Sequence, residues 1–126
     1  MITLKDDDGG FRFDPSGQPQ GIIESYIHAG GRIGAMVELR CETDFVARTD
    51  EFHKLGREIA MQVAAMNPRT VGSIDSADEN ADALLDQEYI RDPSKTVREL
   101  INETIAKVRE HIWVARFVRF EVGAAE

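Results

Sequence analysis

The feature that most constrains the fold is one apolar stripe that repeats through residues 49–67 with the period of an α-helix. Thr49 is a typical helix N-cap, and Asp50 and Glu51 place negative charge in the first turn, where the helix dipole favours it. Pro68 ends the pattern. The side chains of the stripe are Phe52, Leu55, Ile59, Val63 and Met66. A helix with a single apolar stripe needs an apolar surface to cover it, which the rest of the chain must supply.

Three segments predict β-strands that supply such a surface. Residues 21–28 and 33–39 are rich in β-branched and apolar side chains, and residues 29–32 between them contain a Gly-Gly turn, so an antiparallel hairpin is predicted. Gly34 inside the second strand indicates a bulge or a close approach of another backbone. Residues 112–122 predict a third strand.

A second helix is predicted after Thr96, which forms a capping box with Glu99. Its buried stripe is Val97, Leu100, Ile101, Thr104, Ile105 and Val108. The segment between the two helices is less periodic. Residues 73–80 are acidic and predict a loop or a short capped helix, residues 81–89 predict one or two helical turns, and residues 92–93 mark a boundary.

These elements together predict an α+β fold, in which helices cover one face of a three-stranded antiparallel sheet. The other face must then be polar or pack against a second copy of the chain. Residues 1–20 predict a separate appendage, a small N-terminal β-hairpin around an acidic turn that contains Gly9 and Gly10. We therefore divide the chain into this appendage and a core domain at 21–126.

Composition excludes several classes of function. The 23 acidic and 15 basic side chains give a net charge of −8, which disfavours direct binding to nucleic acid. No run of about 18 apolar residues is present, so no membrane-spanning helix is expected. The first eight residues turn acidic too early for a signal peptide. The single cysteine, Cys41, cannot form an internal disulfide, so we expect a cytoplasmic protein in which Cys41 is buried rather than reactive.

The residues do not form a recognisable catalytic or metal-binding set. The three histidines lie on different predicted elements and lack the helical spacing of zinc ligands. Glu42 and Asp44 are two carboxylates, too few for a cation cage. Spacing does not support a catalytic pair of Cys41 and His53. A binding protein is favoured over an enzyme, and no cofactor or metal is expected.

Residues 38–48, with the sequence ELRCETDFVAR, connect the second strand to the first helix. Loops held by a rigid scaffold carry function more often than other segments, because the scaffold directs their side chains outward. Phe45 in this connection is a candidate apolar wedge for the surface of another protein. The alternative is that Phe45 packs under the helix that follows, as most Phe residues do.

Two parts of the chain, at about residues 21–68 and 84–123, resemble the translation elongation factor Ts family. The most specific match is Cys-Glu-Thr-Asp-Phe-Val-Ala at 41–47, joined to the helix that follows it. The other matching segments are residues 21–28, 34–40, 84–87, 96–101 and 116–123.

This resemblance implies guanine-nucleotide exchange on elongation factor Tu during translation elongation, which is not enzymatic bond chemistry. Phe45 would insert as an apolar wedge near the nucleotide site, and Asp44 would disturb the network around the bound Mg²⁺. The residues that would bind elongation factor Tu are Thr43, Asp44, Phe45 and Val46. Because cores of this family pair or contain an internal duplicate, a homodimer through the sheet or its edge is also implied.

Three departures from the family pattern keep an alternative open. Residues 1–20 do not match the small helical ubiquitin-associated-like module, the segment between residues 68 and 84 is short, and Arg40 stands where Asn is usual. The alternative function is a family-derived protein-binding module without exchange activity. A third candidate is a small enzyme or metal protein that uses the carboxylates, Cys41 or His53.

Overall fold

A computed structural model describes residues 20–73 and 82–124 of the chain. The predicted N-terminal hairpin lies outside these residues, as does nearly all of the acidic segment at 73–80. The elements are β1 (Gln20–Ile27), β2 (Ile33–Cys41), α1 (Asp44–Ala47), α2 (Asp50–Met66), a 3₁₀ helix (Leu84–Asp86), β3 (Glu88–Tyr89), β4 (Asp92–Thr96), α3 (Val97–Val108) and β5 (Ile112–Glu121).

The main sheet has three antiparallel strands in the order β1-β2-β5, so the predicted α+β fold is confirmed. The pairing of β2 with β5 shifts between Glu38 and Leu39, which lie opposite Arg116 and Val114, so Ala115 is the extra residue of a β-bulge. This bulge lies on β5, so a bulge at Gly34 of β2, one of the two features predicted for that residue, is wrong. At Gly34 the close approach is made by the Ile27 side chain, whose Cδ1 lies 2.6 Å from where a Cβ would be.

The core lies between one face of this sheet and α2. Alternate residues of β2 point toward the helix, as the two-residue period of a strand requires. The side chains of this core that are 0–1% exposed include Val37, Leu39, Cys41, Phe52, Ile59 and Val63. The stripe predicted for α2 is thus buried, with the exception of Met66, which is 48% exposed because the helix ends there. Arg119 on β5 donates from Nε to the Ala64 carbonyl oxygen at 3.0 Å. This bond satisfies one of the carbonyl groups in the last turn of α2 that have no partner within the helix.

The helix ends follow the predicted capping chemistry. Thr49 accepts a hydrogen bond from the Phe52 amide, and Asn67 ends α2 in the left-handed conformation with φ 50°. Thr96 and Glu99 make both hydrogen bonds of the predicted capping box at α3.

A small hairpin of β3 and β4 was not predicted. The segment predicted as one or two helical turns contains one 3₁₀ turn and then β3, and the predicted boundary at 92–93 lies inside β4. Side chains of α2 hold this hairpin: the buried Gln62 donates to the Glu88 carbonyl oxygen at 3.0 Å and accepts from the Ile90 amide at 3.0 Å. Tyr89 donates to Glu58, and burial, together with this bond, raises the pKa of Tyr89.

No helix within residues 20–73 and 82–124 has both the length and the apolar character needed to cross a bilayer.

Gly56 sets how closely α2 approaches β1, which gives a test of the core. A Cβ at residue 56 would lie 2.8 Å from Cγ and 3.1 Å from Cβ of Glu24. We expect Gly56→Ala to destabilise the chain by about 1–2 kcal/mol, because this overlap outweighs the roughly 1 kcal/mol gained from helix propensity. Urea unfolding measures the difference. In a Glu24→Ala background the cost should shrink, and a stabilised Gly56→Ala variant would contradict the close packing.

Candidate protein-binding site

The site is built on the α1 tip, which we define as residues 42–48, between the end of β2 and the start of α2. Cys41 ends β2 in the core with 0% exposure, so the chain leaves the sheet at a well-anchored point. Thr43 is the N-cap of α1, and its hydroxyl oxygen accepts from the Val46 amide at 3.2 Å. Val46 and Ala47 then turn back into the core, 4% and 5% exposed.

Phe45 points away from this core. Its side chain is 75% exposed, although both residues that follow it are buried. The alternative that Phe45 packs under α2 is therefore wrong. Because a single helical turn places neighbouring side chains on different sides, burial of Val46 and Ala47 directs Phe45 outward.

Asp44 is the other exposed side chain of the predicted set. Its Oδ2 lies 2.9 Å from Nη2 of Arg48, an i,i+4 ion pair in which the two side chains are 53% and 74% exposed. Exposed pairs of this kind contribute little, so Asp44 can exchange this partner for another at small cost. Of the four predicted residues, Asp44 and Phe45 offer accessible side chains, Thr43 caps the helix, and Val46 anchors it.

Two residues near the tip were missed by the reasoning from sequence. Glu110, between α3 and β5, accepts from the amides of Glu42 and Thr43 at 3.1 and 3.0 Å and from the Thr43 hydroxyl at 2.6 Å. The amide of His111 donates to Glu42 Oε2 at 2.7 Å, and this bond lowers the pKa of Glu42. No local pattern could reveal these contacts, because 67–69 residues separate the partners.

The candidate catalytic residues are not brought together. Cys41 Sγ donates to the Thr43 carbonyl oxygen at 3.3 Å, whereas His53 Nδ1 lies 2.8 Å from Glu24 Oε2. The Glu42 and Asp44 carboxylates have separate partners, as described above. Within the part of the chain that the structure describes, no three His, Cys, Asp or Glu side chains are arranged to hold a metal ion.

The outer sheet face, which we define as the face of β1, β2 and β5 away from α2, is divided into two parts. One part is polar: Glu38 accepts from Nε of Arg40 at 2.7 Å and from Nε of Arg116 at 2.6 Å. Partial burial opposes ionisation of Glu38, but these hydrogen bonds outweigh it and lower the pKa. The other part is apolar and open, with exposed side chains of Ile27, Met36, Val118 and Phe120, and Val122 just beyond β5.

Comparison with known proteins identifies the family. A family model described as elongation factor Ts matches residues 11–82. The elongation factor Ts of Thermoanaerobacter sp. (strain X514) is 43% identical over a gapped alignment 139 residues long. This alignment covers 82% of this chain and 68% of that protein. Those of Caldanaerobacter subterraneus subsp. tengcongensis and Thermotoga neapolitana are 42% and 43% identical, and each match covers 82% of this chain and 70% of the relative. This chain belongs to the elongation factor Ts family. Membership supports a role in translation elongation.

The alignments also bear on the short middle segment. They run over 139 residues yet take only 82% of a chain of 126, so they contain gaps opposite residues that the relatives have and this chain lacks. That the missing residues fall between positions 68 and 84 stays a prediction.

Burial of Cys41 gives a test of the tip's anchor. Burial raises the pKa of this thiol to about 11, and the nearby Glu110 carboxylate acts in the same direction. We expect native protein at pH 8 to react with a thiol reagent such as DTNB at least about a hundredfold more slowly than unfolded protein, because the thiolate is scarce and enclosed. Reaction in urea supplies the reference rate. Equal rates in both states would show that Cys41 is accessible and that β2 does not end in the core.

Proposed function

We propose that this chain is a guanine-nucleotide exchange factor that binds elongation factor Tu and promotes release of GDP during translation elongation in the cytoplasm. The observation that carries the proposal is the exposed ring of Phe45 on a tip whose neighbouring residues are buried. Family membership supports the same function, since the relatives are named elongation factor Ts.

The exposed ring supplies binding energy that the free chain does not use. Burying a Phe side chain contributes about 1.5–3 kcal/mol, and a ring that is 75% exposed has most of that contribution still available. Suppose that the pocket for Phe45 on elongation factor Tu opens only when the nucleotide site loosens. Burial of the ring then stabilises only the state with the loosened site. Binding of Phe45 would then favour release.

Asp44 contributes through charge. GDP is held by phosphate contacts and by a Mg²⁺ that bridges phosphate to protein, so a carboxylate placed near that network competes for its donors and weakens several charge-assisted bonds together. By linkage, the factor weakens nucleotide binding as much as nucleotide weakens binding of the factor. A coupling of about 4 kcal/mol corresponds to roughly a thousandfold in affinity, which exceeds what Phe45 alone can supply and requires Asp44 and the surrounding surface as well.

Replacement of Phe45 tests the wedge. We expect Phe45→Ala to lower the rate of GDP release by about 10- to 100-fold, because the variant loses the burial energy of the ring. Stopped-flow release of fluorescently labelled GDP from elongation factor Tu measures this rate. Met66→Ala is the matched control, since Met66 is also an exposed apolar side chain but lies at the far end of α2.

Two results would contradict parts of this proposal. If elongation factor Tu releases GDP no faster with the wild-type chain than with buffer alone, and yet binds the chain tightly, the chain is a binding module without exchange activity. If the wild type is active and Phe45→Ala equals it, the wedge is wrong although the exchange function stands.

We also propose a homodimer formed through the outer sheet face. The apolar part of this face leaves large side chains open, with Phe120 74% and Ile27 64% exposed. Exposed apolar patches of this kind mark interaction surfaces, and two copies of one strand face can cover each other isologously. The ion-paired Glu38 and its arginines would form a polar rim beside the apolar contact.

Phe120→Glu tests this interface. We expect the wild type to sediment as a dimer at micromolar concentration and the variant as a monomer, because a carboxylate would be desolvated at the centre of the contact. Analytical ultracentrifugation measures the mass of each. Phe45→Glu is the matched control, since Phe45 is as exposed as Phe120 but lies at the α1 tip. This variant should leave the dimer intact. A monomeric wild type would refute the dimer.

A further inference from the structure

We propose that Glu110 is a positioning residue for the α1 tip, and that Glu110 and Glu42 form a reciprocal carboxylate clamp that holds Phe45 in its binding orientation. This inference rests on the proposed function and deepens it, because it adds a residue from the far end of the sequence to the same site. The clamp joins two connections, β2 to α1 and α3 to β5.

The clamp consists of two carboxylates that each bind the backbone of the other's connection. Glu110 Oε1 accepts from the amides of Glu42 and Thr43 at 3.1 and 3.0 Å. In return, Glu42 Oε2 accepts from the His111 amide at 2.7 Å and lies 3.0 Å from His111 Nδ1. Hydrogen bonds to an ionised acceptor are the stronger kind, so the crossed arrangement restrains both connections.

The restraint reaches α1 through the hydroxyl of Thr43. This hydroxyl donates to Glu110 Oε2 at 2.6 Å, which leaves its oxygen turned to accept from the Val46 amide at 3.2 Å. Glu110 therefore sets the rotamer that caps α1. A helix of four residues has little stability of its own, so its geometry depends on this cap and on the buried Val46.

Phe45 depends on that geometry more than most side chains do. Because the ring is 75% exposed, few contacts of its own restrain it, and the backbone on either side sets its direction. Loss of the clamp should therefore loosen the tip while Cys41, Val46 and Ala47 keep the core below it closed. A tip held in its bound orientation loses less entropy on binding, and so it binds more tightly.

The first experiment uses the free chain and needs no partner. In Glu110→Ala we expect the amides of residues 42 and 43 to exchange hydrogen at least about tenfold faster than in wild type, while the thermal midpoint changes little. NMR-detected hydrogen exchange and calorimetry measure these quantities. Glu103→Ala is the matched control, since Glu103 is an exposed carboxylate that pairs with Lys95 away from the tip. Unchanged exchange at residues 42 and 43 would overturn the clamp.

The conservative variant separates position from charge. Glu110→Gln keeps one oxygen that can accept from both amides, but its NH2 group cannot accept from the Thr43 hydroxyl. We therefore expect it to retain most of the amide protection and to give a GDP-release rate between those of wild type and Glu110→Ala. If Glu110→Gln lowers the release rate as much as Glu110→Ala while the amides stay protected, and Thr43→Val, which lacks the hydroxyl, releases GDP at the wild-type rate, Glu110 acts by its charge on the partner and the positioning role is wrong.

The second experiment is a double-mutant cycle on release of GDP from elongation factor Tu. We expect Glu110→Ala to slow release about five- to tenfold with Phe45 present and less than about twofold in the Phe45→Ala background, because the clamp acts through the ring. Equal effects in both backgrounds would overturn the inference. If Phe45→Ala alone changes nothing, the wedge has failed, and the hydrogen-exchange result still decides whether the clamp exists.

Discussion

The contact between the inner face of β2 and the apolar stripe of α2 is the interaction on which the rest of the structure depends. Leu39, Phe52 and Ile59 are fully buried there, and each such side chain contributes about 1.5–3 kcal/mol. Beside this contact, Gly56 lets the helix backbone approach Glu24 on β1 closely. The same core buries Cys41 at the end of β2 and Phe52 in the first turn of α2. The α1 tip is therefore anchored in the core on both sides.

Strand β2 also separates the two surfaces that we connect with function. Its inward residues build the core, its outward residues include Met36 on the outer sheet face, and its end leads into the α1 tip. Exchange would use the tip, whereas pairing of two copies would use the outer face. The tip extends from the end of β2, whereas the pairing surface lies on the outward face of the strand. We therefore expect a substitution at Phe45 to affect exchange but not the pairing of two copies.

Elements with strong local signals were predicted from the sequence. The hairpin of β1 and β2 follows from two apolar strands around a Gly-Gly turn, α2 follows from its stripe and its Thr49 cap, and α3 follows from its capping box. The hairpin of β3 and β4 was missed because Gln62 and Glu58 on α2 hold it, and these residues are 26 and 31 positions away from their partners Glu88 and Tyr89. Periodicity in a short segment carries no information about such distant partners.

The sequence by itself determined the order of the elements, the faces of α2 and α3 that are buried, and the motif at 41–47, because caps, turns and apolar periods act within a few residues. It left the direction of Phe45 open, since an aromatic residue beside a strand end fits a core as well as a surface. Only the tertiary structure decided that Val46 and Ala47 fill the core and Phe45 does not. It also decided that Glu110 meets Thr43, because only the antiparallel pairing of β2 with β5 brings the end of one strand beside the start of the other.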